Sequence, residues 1–86
     1  MTLQAKHIIA FDKAFNKAVL NEENWNDTGI NWSFVDADVT CDLVDEFNFD
    51  INLVKIQDEF NSSADEINSY MYDMNITNFQ QYKDNE

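Results

Sequence analysis

The chain has no arginine and no proline, one glycine, one cysteine and one histidine. Each shortage closes a class of function. A lone cysteine, Cys41, forms no internal disulfide, so stability has to come from packing. One cysteine and one histidine, far apart in sequence, do not assemble a zinc site. With Gly29 alone there is no glycine-rich loop to cradle a phosphate. Long apolar runs are missing too, and nothing approaches the ~20 residues that cross a bilayer. Lys6, His7, Asp12 and Lys13 interrupt the N-terminal apolar residues, so no signal peptide is read there, and the expected compartment is the cytoplasm.

What is present is apolar and acidic together. Eighty-six residues carry 44% hydrophobic and 14% aromatic side chains beside a formal charge of −12. A disordered acidic tail has few aromatics, and a chain this short does not divide its apolar residues between two cores. Residues 1–86 are therefore expected to form a single folded domain, with 83–86 as a frayed tail. Basic residues are confined: Lys6, Lys13 and Lys17 lie near the start, and none occurs between Lys17 and Lys55. Glu22, Glu23, Asp27, Asp36, Asp38, Asp42, Asp45, Glu46 and Asp50 fill that gap. A second gap, from Lys55 to Lys83, holds Asp58, Glu59, Asp65, Glu66 and Asp73. Unpaired carboxylates repel one another and weaken the compact state, so their accumulation points to a use for the field. That field repels anionic lipid and nucleic acid, which excludes both as direct partners.

Periodicity divides the chain into three parts. Ile8, Phe11, Phe15 and Val19 follow helical spacing and predict a helix over 3–20, with Thr2 as its N-cap. Residues 21–31, with Gly29, read as a loop. From Ser33 the period becomes two: Ser33, Val35, Ala37, Val39, Cys41 and Leu43 alternate with Trp32, Phe34, Asp36, Asp38, Thr40 and Asp42. A second alternating run places Phe47, Phe49, Ile51 and Leu53 on one face. Together the two runs predict an antiparallel hairpin, although no Asn-Gly or Asp-Gly marks its turn. Ser63 and Glu66 fit a capping box ahead of Ile67, Tyr70, Met71 and Met74. Ile76, Phe79 and Tyr82 continue that helix or start another. The expected fold is α+β, αββα-like, a hairpin or small sheet packed by N- and C-terminal helices.

In that arrangement one sheet face displays Asp36, Asp38, Asp42 and Asp50, with Asp45 and Glu46 near the turn and Glu22, Glu23 and Asp27 on the preceding loop. Trp32 and Phe34 share this face, either covered by another segment or exposed as aromatic anchors of the kind enriched at interface hot spots. Trp25 has the same two readings. Cys41 falls on the inward face as an inert core thiol, and His7 is expected at the surface or its boundary.

Dedicated chemistry is not expected. The loop 24–35 has Thr28 and Val35 where a calcium loop needs ligand oxygens. Asp36 and Asp38 alone supply too few oxygens for a metal, and so small a domain has little room for a ligand pocket of ~300 Å³. No cofactor and no enzymatic activity are expected.

In size, charge and helix–strand pattern the chain resembles small phage-type DNA mimics: anti-restriction and anti-CRISPR proteins and inhibitors of nucleoid proteins. Such proteins share no motif, so the resemblance assigns no residue. It implies binding to the basic nucleic-acid-binding surface of a host protein, with nucleic acid thereby excluded. An immunity protein or antitoxin that neutralises a basic nuclease shares these electrostatics, and an adaptor that is acidic only for solubility is a third reading. Either a monomer or a homodimer is compatible with an exposed hairpin edge.

Overall fold

The computed structural model describes residues 3–85, so the expected Thr2 cap lies outside the described residues. Helix α1 spans Ala5–Val19, followed by a single 3-10 turn at Glu22–Asn24. A minimal antiparallel pair follows, β1 at Trp25–Asn26 and β2 at Gly29–Ile30, with Trp25 opposite Ile30. Helices α2 (Trp32–Phe47), α3 (Leu53–Asp73) and α4 (Phe79–Asp84) complete the chain. The structure thus combines helices with a sheet, but helices dominate and the sheet has only four residues.

The hairpin expected over residues 33–53 is replaced by α2, a connection and the start of α3. Val35, Val39 and Leu43 decide the matter. They are four residues apart, a spacing that satisfies both a strand face and a helix stripe. In the structure all three are almost fully buried, while Ala37 and Cys41, which a strand would bury beside them, are exposed. Cys41 is accordingly a free, exposed thiol, not a core residue.

Asparagine sets the boundaries that proline and glycine would otherwise mark. Asn31 Oδ1 accepts from the Ser33 N–H at 3.2 Å and starts α2. Asn52 Oδ1 accepts from the N–H groups of Val54 and Lys55 and starts α3. Asn21 caps the 3-10 turn and Asn78 caps α4 in the same manner. Each side chain satisfies a backbone donor that the first turn leaves open. Asn48 and Asn75 take positive φ after α2 and α3, a conformation that asparagine adopts more readily than most residues. Ser63 and Glu66, read as a capping box, lie within α3, whose cap is Asn52. The expected frayed tail begins instead inside α4, which extends to Asp84.

The contacts set α1 and α2 antiparallel. His7 near the start of α1 meets Phe47 at the end of α2, with ring centroids 4.8 Å apart and perpendicular. Phe15, near the end of α1, stacks on Trp32 at the start of α2, centroids 6.1 Å apart. Phe60 of α3 closes the cluster, edge-on to both Phe15 and Trp32. Around these rings Phe11, Val19, Val35, Val39, Leu43, Ile51 and Ile56 form one continuous core. His7 is buried, contrary to its expected surface position: its Nδ1 accepts the Gln4 N–H at 3.2 Å, and Nε2 has no hydrogen-bond partner.

The far end of the molecule carries a second aromatic group. Trp25 packs against Phe79 and Tyr82, and Tyr82 against Tyr70. This is what holds the short α4 in place, since six residues do not form a stable helix alone. The whole is elongated, 38 × 22 × 18 Å.

Gly29 is required by its backbone. Its φ of 128° belongs to a region L-residues rarely adopt, and nothing lies within 4 Å of where a Cβ would be. Strain, not collision, then sets the cost of a side chain. Gly29→Ala is expected to lower stability by about 1–2 kcal/mol in chemical denaturation, with an unchanged m-value.

Candidate interaction surface

The acidic residues of the expected site occupy four places instead of one sheet face and its preceding loop. Asp36, Asp38, Asp42, Asp45 and Glu46 lie on α2, which carries no basic residue. At 100° per residue they separate: Asp38, Asp42 and Asp45, at i, i+4 and i+7, run along one flank of the Val35–Val39–Leu43 stripe, and Asp36 falls on the other. The row advances about 6 Å and then about 4.5 Å along the axis. Glu22 and Glu23 are in the 3-10 turn, Asp27 is at the tip of the β1–β2 turn, and Asp50 is in the connection between α2 and α3, all exposed.

The α2 row faces α1. Its carboxylates line a groove with Lys13 and Lys17: one cavity of about 370 Å³ involves Lys13, Lys17, Asp42, Asp45 and Glu46, and an adjoining one of about 280 Å³ involves Lys17, Asp38 and Asp42. Lys17 Nζ is 3.9 Å from Asp42 Oδ2, the one ion pair among the described residues, with 77% and 44% of the two side chains exposed. A pair so exposed contributes little to stability, but it offsets charge. Two further members of the cluster have local partners. Asp38 Oδ2 accepts from Asn24 Nδ2 at 2.9 Å, which ties α2 to the 3-10 turn, and Asp36 Oδ1 accepts from Thr40 Oγ1 at 3.4 Å. The α2 carboxylates are therefore partly structural and partly balanced.

Reasoning from the sequence did not place the outer face of α3 in the site. Glu59, Glu66 and Asp73 repeat every seven residues, with Asp58 and Asp65 alongside, and all five are exposed. Seven residues rise about 10.5 Å, and the heptad spacing keeps each row near one line of the helix. Lys55 is the sole basic residue of this helix. The signal was the repeat itself, visible only once this segment is read as one long helix.

Trp32 of the expected site, and Trp25 beside it in the sequence reading, are both tied into the fold. Trp32 bridges the three long helices: it stacks on Phe15, meets Phe60 and donates Nε1–H to Asn68 Oδ1 at 3.2 Å. It is half-buried and structural, not a free anchor. Trp25 is half-buried as well, with Nε1–H donated to the Val19 carbonyl at 2.8 Å. Phe34 is 55% exposed on α2.

Among the described residues no group of three or more histidine, cysteine or acidic side chains is arranged to hold a metal ion, and no helix is long and apolar enough to cross a membrane. Open clefts of about 280 to 530 Å³ mark the surface. Comparisons with known protein families, curated proteins and solved structures gave no match.

Proposed function

We propose that this protein is an inhibitor that occupies the basic nucleic-acid-binding surface of a host protein, a restriction, CRISPR or nucleoid protein, and so excludes nucleic acid from it. It works by binding in place of DNA and catalyses nothing. The observation that supports this most is the outer face of α3, where five carboxylates stand on one rigid rod with a single lysine on the same helix. Helical hydrogen bonding fixes their spacing, which a flexible acidic tail does not do.

Magnitude supports the reading as well. A charge of −12 spread over the 38 Å long axis is one net charge per about 3 Å. Duplex DNA carries one per ~1.7 Å, so the linear density is about half that of DNA. A cationic groove shaped for a phosphate backbone meets a comparable field here, and encounter is accelerated by steering. The lysines of α1 subtract from the field over the α2 groove, which directs the binding face toward α3 and the turn end of the molecule.

The test is capture from nuclease-treated host lysate on the immobilised protein at low and high salt. The proposal requires the captured proteins to be nucleic-acid-binding, to be lost at high salt, and to be released by added duplex DNA. Retention that is indifferent to both salt and duplex would contradict it.

A further inference from the structure

We propose that the cleft between the β1–β2 turn and the start of α4 seats an arginine side chain of the basic partner, an inference that rests on the reading above and locates its anchor. The cleft measures about 530 Å³ and is lined by Glu22, Trp25, Asn26, Asp27, Asn78 and Phe79, among others. Its walls combine two half-exposed aromatic rings with two exposed carboxylates.

That combination selects its occupant. An acidic side chain is repelled by Glu22 and Asp27, and an apolar one would strip water from both carboxylates without replacing their hydrogen bonds. A cation satisfies both walls, since the π-face of an indole attracts positive charge. Arginine fits better than lysine. Its planar guanidinium lies against a ring while its forked N–H groups reach a carboxylate, and it sheds water more readily than an ammonium. Neither Glu22 nor Asp27 is in an ion pair among the described residues, so both charges are available.

The walls are also pre-set. Trp25 is fixed by its hydrogen bond to the Val19 carbonyl and by Phe79 and Tyr82, with centroids 5.8 and 5.5 Å away. The Asn26 side chain is fixed within the turn, its Oδ1 accepting from both the backbone N–H and the hydroxyl of Thr28. Asn78 is engaged in capping α4. The aromatic and amide walls therefore lose little side-chain freedom on binding, a condition that favours a hot spot, and the ordering cost falls on Glu22 and Asp27. The cleft is also joined to the α2 row, because Asn24, next to Trp25, holds Asp38.

The experiment is an amide and indole NMR titration of the whole protein with an oligo-arginine peptide and a matched oligo-lysine peptide at low salt, the indole signals being assigned with Trp32→Phe. The expected result is a saturable shift of the Trp25 indole and the Phe79 amide, with the Trp32 indole unmoved. Affinity for the arginine peptide should exceed that for the lysine peptide by about threefold or more. Glu22→Gln combined with Asp27→Asn, both exposed, should lower arginine-peptide affinity by about tenfold and abolish the Trp25 shift. If the arginine peptide binds while Trp25 and Phe79 stay unmoved, the cleft is not the anchor, although the acidic surface still captures cations. If neither peptide binds anywhere, the proposed function fails together with this inference.

Discussion

Glu59→Gln, Glu66→Gln and Asp73→Asn, introduced together on α3, are expected to weaken binding to a basic partner by about 100-fold at low salt. The figure follows from about 1 kcal/mol for each close charge pair in a wet interface. All three side chains are exposed, so the same variant should keep its circular-dichroism spectrum and its melting temperature. A slight rise in stability is the expected direction, because like-charge repulsion is relieved. The pairing of lost affinity with retained stability is diagnostic of a surface held against repulsion for binding. Neutralising Asp36, Asp38 and Asp42 on α2 is a poorer test. Asp38 holds Asn24, Asp42 faces Lys17 and Asp36 accepts from Thr40, so those changes alter the fold's own contacts along with the field. An α3 variant that binds as tightly as the parent would remove the basis for placing the interface there.

Phe60→Ala is expected to cost about 3–5 kcal/mol, and Leu43→Ala about 2–5 kcal/mol. Phe60 is the ring on which α3 joins the α1–α2 pair, through Phe15 and Trp32, and Leu43 is fully buried at the C-terminal end of the α2 stripe. Small domains have only about 5–15 kcal/mol in total, so the Phe60 variant is expected to be largely unfolded or close to it in thermal melts. Cys41→Ala is the control. Two residues from Leu43, it would share Leu43's fate in a strand. On a helix it points outward and should change stability by less than about 0.5 kcal/mol. Reaction of the native Cys41 thiol with an aromatic disulfide reagent, at a rate near that of the unfolded chain, reports the same geometry. A native thiol that is protected, or a Cys41→Ala variant as damaged as Leu43→Ala, would restore the strand.

The first helix was legible because the step of three from Ile8 to Phe11, followed by Phe15 and Val19, fits a helix face and no strand face. The next segment was not, because Val35, Val39 and Leu43 fit two. Its valines, phenylalanines and threonine favour strands, and that preference yields readily to tertiary packing. The decisive signals were small ones. No turn sequence joined the supposed strands, and Asn31 and Asn52 sat where helices start. Asparagine does here what the missing prolines and scarce glycine do elsewhere, a role that a count of asparagines cannot reveal. The total charge was legible at once, whereas its distribution was not. A strand sorts neighbours by 180° and a helix by 100°, so the misread period set Asp36 beside Asp38 on one face, and the helix start expected at Ser63 hid the row that begins at Glu59. The cleft at Trp25 was beyond sequence reasoning, since it joins residues 22–27 to residues 78–80 only through tertiary contact.

Mutual exclusion with nucleic acid is the most direct measurement. A complex of the captured target with fluorescently labelled duplex DNA is titrated with this protein, and anisotropy is followed. Displacement should be complete, with the apparent affinity falling as duplex concentration rises. A ternary complex, with the label still bound when the protein is saturating, would show that it binds elsewhere and does not stand in for DNA.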